Sequence, residues 1–310
     1  MMNRSDQTLA IAALKSAAPY IRMYKGKTFV VKAGGGVFAD TESTRVLVEQ
    51  IAILHYFGVR VVMVHGGGPQ VTELQTALGL ESRMVQGRRV TDQKSIDVTA
   101  MVLSGLINTR ILSICRQLNI DAVGVSGVDA GLIRAHRRSP VKQDDGSTVD
   151  YGFVGDIVGV DTTVIRKLLD NGLMPVVSPL SADENGTLLN INADTVAAAL
   201  GAALDAEKLI LCTGAPGILE RVEDPGSLIS YTDLKGLKRL KDEKRIVEGM
   251  LPKAKAIEEA IRGGVRRVHV VSYKSPEGIL GEVFTNEGTG TLIVADVNAI
   301  PANEQQVVGG

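Results

Sequence analysis

The sequence predicts an α/β protein whose central sheet is mostly parallel and covered on both faces, and two observations carry that prediction. Short apolar runs alternate with longer segments of helical period along the chain, and each run is rich in Val and Ile and bounded by Gly, Pro or charge. Runs that are apolar at successive positions mark strands buried on both faces. Alternation of such strands with helices places helices above and below a parallel sheet.

In chain order, residues 9–24 form an amphipathic helical segment ahead of the first strand. Strands are predicted at 28–31, 59–64, 122–125, 174–177, 209–211 and 268–271, and helices at 42–57, 93–117, 162–169, 194–204 and 252–262. The polar stretch 139–150, with Asp144-Asp145-Gly146 inside it, reads as a hairpin turn rather than a linker. A break near Asp205 divides the chain. The expected organisation is an N-terminal helix over 1–25, a larger lobe over 26–205, a second lobe over 206–297, and a polar, frayed tail over 298–310.

Composition narrows the function classes. With 310 residues, 45% hydrophobic and 22% charged, the chain has ample material for a core and the make-up of a soluble globular protein. A net charge of −1 gives no footprint for nucleic acid or an anionic membrane. Cys115 and Cys212 lie far apart in apolar surroundings and read as buried, reduced thiols rather than a disulfide or a metal site. No apolar run approaches the roughly 18 residues of a spanning helix, and the N-terminus lacks a signal-peptide layout. The cytoplasm is the expected location.

Two glycine triplets stand out, each directly after an apolar strand: Lys32-Ala33-Gly34-Gly35-Gly36 and His65-Gly66-Gly67-Gly68-Pro69. Ligands of parallel α/β sheets bind beyond the carboxyl ends of the strands. Glycine there lets backbone N–H groups approach an anion, and a following helix adds its dipole. One triplet could be a plain turn; two at equivalent places, one led by a lysine, point to phosphate or carboxylate binding. Neither G-x-x-x-x-G-K-[ST] nor a G-x-G-x-x-G opening a βαβ unit is present, so a nucleotide site here belongs to another phosphate-binding family. Lys32 closes a buried strand, which is costly unless its ammonium snorkels to solvent or meets an anion.

Five segments occur in order: Lys32-Ala33-Gly34-Gly35, Val64-His65-Gly66-Gly67-Gly68-Pro69-Gln70, Gly87-Arg88-Arg89-Val90-Thr91-Asp92, Asn190-Ile191-Asn192-Ala193-Asp194 and Gly249-Met250-Leu251-Pro252-Lys253. Together they resemble the amino acid kinase family, and within it the branch that phosphorylates N-acetyl-L-glutamate. The resemblance runs from about Ala18 to Val294. It implies a three-layer αβα sandwich with two lobes, the first binding the acyl amino acid and the second ATP with Mg²⁺, the metal held mainly through the nucleotide phosphates. It further implies that Lys32 and Lys253 stabilise the transferring phosphoryl group, with Asp194 orienting both. Gly34 and Gly35 would bind phosphate, while Gly67, Gly68, Arg89 and Asn190 would hold the substrate. No protein metal site is implied.

The chemistry agrees with that inventory. A side-chain carboxylate has a reference pKa of about 4.3, so at neutral pH it is already an ionised nucleophile and needs no general base. Phosphoryl transfer then rests on positioning and charge neutralisation. His65 accordingly reads as a residue that orients a loop. Asn192 or Asp194 could instead cap the following alanine-rich helix, and spacing alone does not separate cap from catalyst. Pro252 suits a first helical turn, and a lysine beside that positive end is favourable only with an anion nearby.

Two positions depart from the pattern. Gly214, in Leu211-Cys212-Thr213-Gly214-Ala215-Pro216-Gly217, stands where the family generally has an aspartate that helps position a catalytic lysine; Val128 replaces a lysine common in many members. They leave two alternatives open: a kinase for another N-acylated amino acid such as an aminoadipate derivative, or a weakly active nucleotide or arginine sensor. The N-terminal segment with Ala18-Pro19-Tyr20-Ile21 and the run from Glu282 to Gly288 resemble the extra helix and effector loop of arginine-inhibited members. That resemblance implies arginine as an inhibitor near Tyr20, Glu282 and Gly288, in a homo-oligomer that is a dimer or a hexamer.

Overall fold

A computed structural model describes residues 4–85, 88–143, 145–221, 223–224, 226–246, 248–285 and 288–299. Gly87 of the third motif, Asp144 of the turn, residues 286–287 between Glu282 and Gly288, and the tail from 300 onward lie outside the described residues.

The chain opens with α1 (Arg4–Tyr24), β1 (Thr28–Ala33), α2 (Thr41–Tyr56), β2 (Arg60–His65) and α3 (Gly68–Ala77). A short ribbon, β3 (Met84–Val85) with β4 (Arg88–Arg89), leads to α4 (Gln93–Ala100) and α5 (Asn108–Gln117), which a π-helical stretch Met101–Ile107 joins into one rod. Then come β5 (Ala122–Ser126), β6 (Ile133–Arg137), the hairpin β7 (Val141–Lys142) and β8 (Thr148–Val149), β9 (Gly155–Val160), α6 (Thr163–Asp170) and β10 (Met174–Ser178). Next are β11 (Leu180–Ala182), β12 (Leu188–Asn190), α7 (Ala193–Ala203), β13 (Lys208–Thr213), β14 (Tyr231–Asp233) and α8 (Leu234–Asp242). The chain closes with α9 (Leu251–Arg262), β15 (Arg267–Ser272), α10 (Gly278–Phe284) and β16 (Thr291–Val294).

Eight strands form the central sheet in the order β14-β16-β15-β13-β1-β2-β10-β5, and β15–β16 is its antiparallel pair. The strand period of two sorts its side chains onto two cores. Phe29, Val31, Met63, Val176 and Ile210 pack with α2, α5 and α10 on one face. Val30, Val62, Val64, Leu209 and Leu211 pack with α6, α7, α8 and α9 on the other. The result is the three-layer αβα sandwich with a mainly parallel sheet. β1 lies at the middle, with β2 on one side and β13 on the other, so the strand order reverses there and a crevice opens beyond its carboxyl end.

A second sheet, β12-β11-β6-β9, was not foreseen. Buried and exposed positions alternate along β6, and β11 and β12 are three residues each. The 139–150 stretch is a hairpin, with Val141 opposite Val149. The expectation about membrane spans needs correction. The rod Gln93–Gln117 is long and apolar enough to cross a membrane by length and composition, but half of its most apolar window is buried inside the protein.

Candidate active site

The site begins with the alternation along β1. Val30 faces α7 and α9, so Lys32, two residues on, points the same way, toward the first turns of those two helices. Asp194 lies in the first turn of α7, and Lys253 in the first turn of α9 behind Pro252. All three are buried, at 6%, 8% and 6% exposure for Lys32, Asp194 and Lys253, so none of them snorkels. Lys32 Nζ lies 2.8 Å and Lys253 Nζ 2.9 Å from the same oxygen, Asp194 Oδ1.

One carboxylate therefore bridges two ammonium groups, and the triad carries a formal surplus of one positive charge. Burial favours the neutral acid, but the two lysines outweigh it and hold the Asp194 carboxyl well below the usual carboxylate range. Burial lowers the Lys253 pKa, and the Lys32 charge lowers it further, while Asp194 opposes both. The cap ambiguity is resolved locally. Asn192 Oδ1 accepts from Asp194 N at 2.8 Å and Thr195 N at 3.2 Å, so Asn192 caps α7 and the Asp194 carboxylate is free for the lysines.

The two glycine loops press together beside this triad. Gly66 N donates to Ala33 O at 2.8 Å, and Gln70 Nε2 donates to Gly35 O at 2.8 Å. A Cβ at Gly35 would fall 2.6 Å from Pro69 Cδ and 3.1 Å from Gly67 Cα, so a side chain there would force the loops apart. Because α3 starts at Gly68, its first N–H groups have no intrahelical partner.

A cavity of about 260 Å³ sits at this junction. Lys32, Gly34, Gly35, Gly67, Gly68 and Asp194 line it, and so do Arg89 and Asn190 from the opposite wall; Lys253 stands behind Asp194. The half-buried Arg89 guanidinium is held in place by Gln75 Oε1 at 2.5 Å, Thr72 Oγ1 at 2.7 Å and Gly68 O at 3.1 Å. Asn190 Nδ2 donates to Thr91 Oγ1 at 3.4 Å.

Arg138 is a cavity residue that sequence reasoning missed. It forks onto Asp156, with Nε 3.1 Å from each carboxylate oxygen, and supplies a second guanidinium. An arginine next to another arginine, in a polar stretch, offers no signal by itself. Met84, Leu103 and Val154 form an apolar portion of the same wall. Leu103 comes from the π-helical stretch, a feature that recurs at functional sites.

His65 is fully buried, and burial pushes its pKa down to about 4. Asn108 Nδ2 donates to both Val176 O (2.9 Å) and His65 Nε2 (3.2 Å), so His65 is neutral with its proton on Nδ1, facing Gly66 O at 3.2 Å. It braces the second glycine loop. Cys115 and Cys212 are free and buried, and burial raises both thiols to about 12.

Tyr20, Glu282 and Gly288 gather elsewhere. Tyr20 on α1 meets Phe284 of α10 edge-on at 6.5 Å, and a Cβ at Gly288 would lie 2.8 Å from Glu282 Oε2. The buried Glu282 accepts from Thr289 N at 2.6 Å, Gly290 N at 2.9 Å and His269 Nδ1 at 2.7 Å. Lys208 Nζ donates to His269 Nε2 at 3.0 Å. Burial opposes the charge on Glu282, but His269 and the two backbone N–H groups bring its pKa to about 2. Lys208 and His269 were not anticipated.

A parallel sheet whose central strand ends in a lysine–aspartate–lysine triad, flanked by two glycine loops, defines a phosphotransferase of the α/β class. The chain matches the Amino acid kinase family over residues 27–272, and it belongs to that family. It is 46% identical over 296 residues to an acetylglutamate kinase of Myxococcus xanthus, covering 94% of this chain and 96% of that one. It is 42% identical over 288 residues to an acetylglutamate kinase of Caldanaerobacter subterraneus, covering 93% and 94%.

Among solved structures, N-acetylglutamate synthase of Neisseria gonorrhoeae with coenzyme A and N-acetyl-glutamate superposes with a TM-score of 0.81 at 26% identity, over 93% of this chain. The chain spans 64% of that protein's length. Carbamate kinase of Giardia lamblia bound to AMP-PNP shares the fold, with a TM-score of 0.63 at 18% identity over 87% of this chain and 99% of that one.

Proposed function

We propose that this chain transfers the γ-phosphoryl group of ATP to the γ-carboxylate of N-acetyl-L-glutamate, forming an acyl phosphate in arginine biosynthesis. The observation that carries the reading is the single Asp194 oxygen bridging Lys32 and Lys253 at the crevice beside both glycine loops. The relatives at 46% and 42% identity bear the name of this activity, which favours it over an aminoadipate kinase or a sensor.

In the reaction, a carboxylate oxygen of the substrate forms a bond to the γ-phosphorus as the bond from that phosphorus to the β–γ bridging oxygen breaks. The electron pair leaves with ADP. Lys32 and Lys253 stabilise the negative charge spread over the transferring group, and Asp194 keeps both ammonium groups aimed there without hydrolysing or deprotonating anything. The N–H groups of Gly34 and Gly35 cradle phosphate oxygens, while those of Gly67 and Gly68 bridge toward the substrate. Arg89 and Asn190 hold its α-carboxylate and neighbouring polar atoms. Asp194 is already taken up by two cations, so Mg²⁺ would enter on the phosphates of the nucleotide and neutralise their charge there.

The lobe over 26–205 binds the acyl amino acid and that over 206–297 the nucleotide. In support, all the lining of the cavity comes from Lys32 to Asp194. A coupled ADP-release assay against a panel of N-acylated amino acids tests the reading: acetylglutamate is expected to be the preferred acceptor, and Lys32→Ala or Lys253→Ala to lower turnover about 10³-fold, by analogy with loss of an arginine finger. Full turnover in either variant would sink it.

Regulation belongs to the same proposal. Arginine acts as inhibitor near Tyr20, Glu282 and Gly288, and α1 joins copies of the chain. In support, α1 leaves Leu9, Ile11 and Leu14 largely exposed. Removal of residues 1–25 is expected to shrink the oligomer by light scattering and abolish inhibition by millimolar arginine; an unchanged oligomer and unchanged inhibition would exclude this role.

A further inference from the structure

Beside the first glycine loop stands a tyrosine that the reaction scheme above does not use. Thr213 and Ser272 are register partners at the ends of β13 and β15, and Tyr273 N donates to Thr213 O at 2.9 Å. Tyr273 therefore leaves the sheet at its carboxyl edge, the edge on which both glycine loops open. Its half-buried ring packs on the core that holds Val271 and Ile279, so its direction is set by the fold.

The hydroxyl reaches back over β13 to the first glycine loop. A Cβ at Gly36 would fall 2.6 Å from it, closer than real Cβ contacts come, and a Cβ at Gly214 would fall 3.4 Å from it. Two positions on neighbouring strand ends thus lack side chains, and the hydroxyl occupies the gap between them. Among the described residues it makes no hydrogen bond to protein. A phenol held rigidly, with its donor unspent, beside backbone built to approach an anion has the chemistry of a phosphate contact.

We propose that the Tyr273 hydroxyl is a nucleotide-binding group that donates a hydrogen bond to the β-phosphate of bound ATP through the gap left by Gly36 and Gly214. The inference rests on the kinase reading above. The γ-phosphoryl group belongs with Lys32, whose Nζ lies 3.8 Å from a Cβ position at Gly34. Gly36, two residues further along the loop, is then the place of the next phosphate. Tyr273 also comes from the lobe assigned to the nucleotide.

Tyr273→Phe keeps the ring and removes the donor. A hydrogen bond to a charged group predicts a fall of about tenfold or more in kcat/KM for ATP, with KM for acetylglutamate unchanged. By calorimetry, affinity for ADP falls by the same factor and affinity for AMP, which has no β-phosphate, stays the same. Gly36→Ala, which displaces the hydroxyl, reproduces the loss. In the Tyr273→Phe background it adds little, because the ring carbon then faces the new methyl at 3.4 Å.

A Phe variant with wild-type kcat/KM for ATP and wild-type ADP affinity overturns the proposal; if Lys32→Ala is inactive in the same assay, the kinase reading stands. Equal losses for ADP and AMP also overturn it, because the tyrosine would then act on the nucleoside side. Wild-type protein that binds no nucleotide sinks the proposal together with the reading.

Discussion

Replacing Asp194 with asparagine removes one charge and no volume, which makes it the cleanest probe of the triad. At an effective dielectric of about 20, each lysine–Asp194 contact at 2.8–2.9 Å contributes about 6 kcal/mol of attraction. The two ammonium groups touch the same oxygen and so stand no more than about 6 Å apart, where they repel by about 3 kcal/mol. With the carboxylate in place attraction dominates, and both lysines stay aimed at one point. With an amide in place that repulsion has no counterweight. Lys253, which burial and Lys32 already push down, then loses its proton nearest neutrality.

The expected result for Asp194→Asn is a kcat lower by about 10³ at pH 7, the size of effect seen when a phosphoryl-stabilising cation is lost. The deficit is expected to widen from pH 6 to pH 9, because each rise in pH strips charge from the lysine pair, whereas wild-type turnover stays level over that range. Coupled ADP release at saturating ATP and acetylglutamate measures it, with circular dichroism to verify the fold. Wild-type kcat in the variant would refute the bridging role outright. A large deficit of identical size at every pH would refute the electrostatic part and leave Asp194 as a spacer.

Three further outcomes follow from the same geometry. Buried His65 has a pKa of about 4 against 6.5 for the free group, so its stabilising contribution is complete above pH 6.5 and erodes as pH falls toward 4. Between pH 7 and pH 5 that amounts to about 2 kcal/mol, and urea unfolding of His65→Gln should show a pH slope smaller by that amount. Asn192→Ala removes the acceptor for two N–H groups at the start of α7 and is expected to cost about 1 kcal/mol in urea unfolding, while Asn192→Asp retains the cap. Gly67→Ala should raise KM for acetylglutamate at least tenfold, because its methyl would lie 2.4 Å from Ile107 Cδ1 and 2.7 Å from Leu103 Cδ2. Gly68→Ala, with open space around the new methyl, should remain within a few-fold of wild type in the same assay.

What could be read from sequence followed from how each element is buried. The six predicted strands lie in the central sheet, and β1, β2, β10, β13 and β15 bury nearly every position there, so their runs are unmistakable. β6 escaped because it mixes Arg134 and His136 with Ile133 and Ala135, and β11 and β12 because they are three residues each; β9 carries Ile157-Val158-Gly159-Val160 behind Asp156 and was passed over. α3 begins in a glycine loop and α10 spans seven residues, so neither built up a helical period, whereas α8 carries Leu234, Leu237 and Leu240 at helical spacing and was passed over. The π-helical stretch was invisible for another reason. It adjoins Gly67 through Leu103 and Ile107, a contact across more than thirty residues that no local pattern encodes.

The site was legible to the extent that its residues break a local rule. A lysine closing a buried strand and a lysine at a helix N-terminus are both anomalies, and Asp194 beside a better cap is a third. Arg138 and Lys208 break no rule that neighbours in sequence reveal, whereas His269 interrupts the apolar run 268–271; the partners Asp156 and Glu282 are set by folding. Gly214 shows the opposite case, a departure from the family pattern that sequence could register only as a missing carboxylate. Among the described residues, Asp194 alone reaches both lysines, and one oxygen contacts the pair without a second acid. A second carboxylate there would cancel the formal surplus of positive charge that the triad presents to a phosphate. The glycine is therefore consistent with transfer chemistry: it preserves that surplus, and it leaves open the space into which Tyr273 reaches.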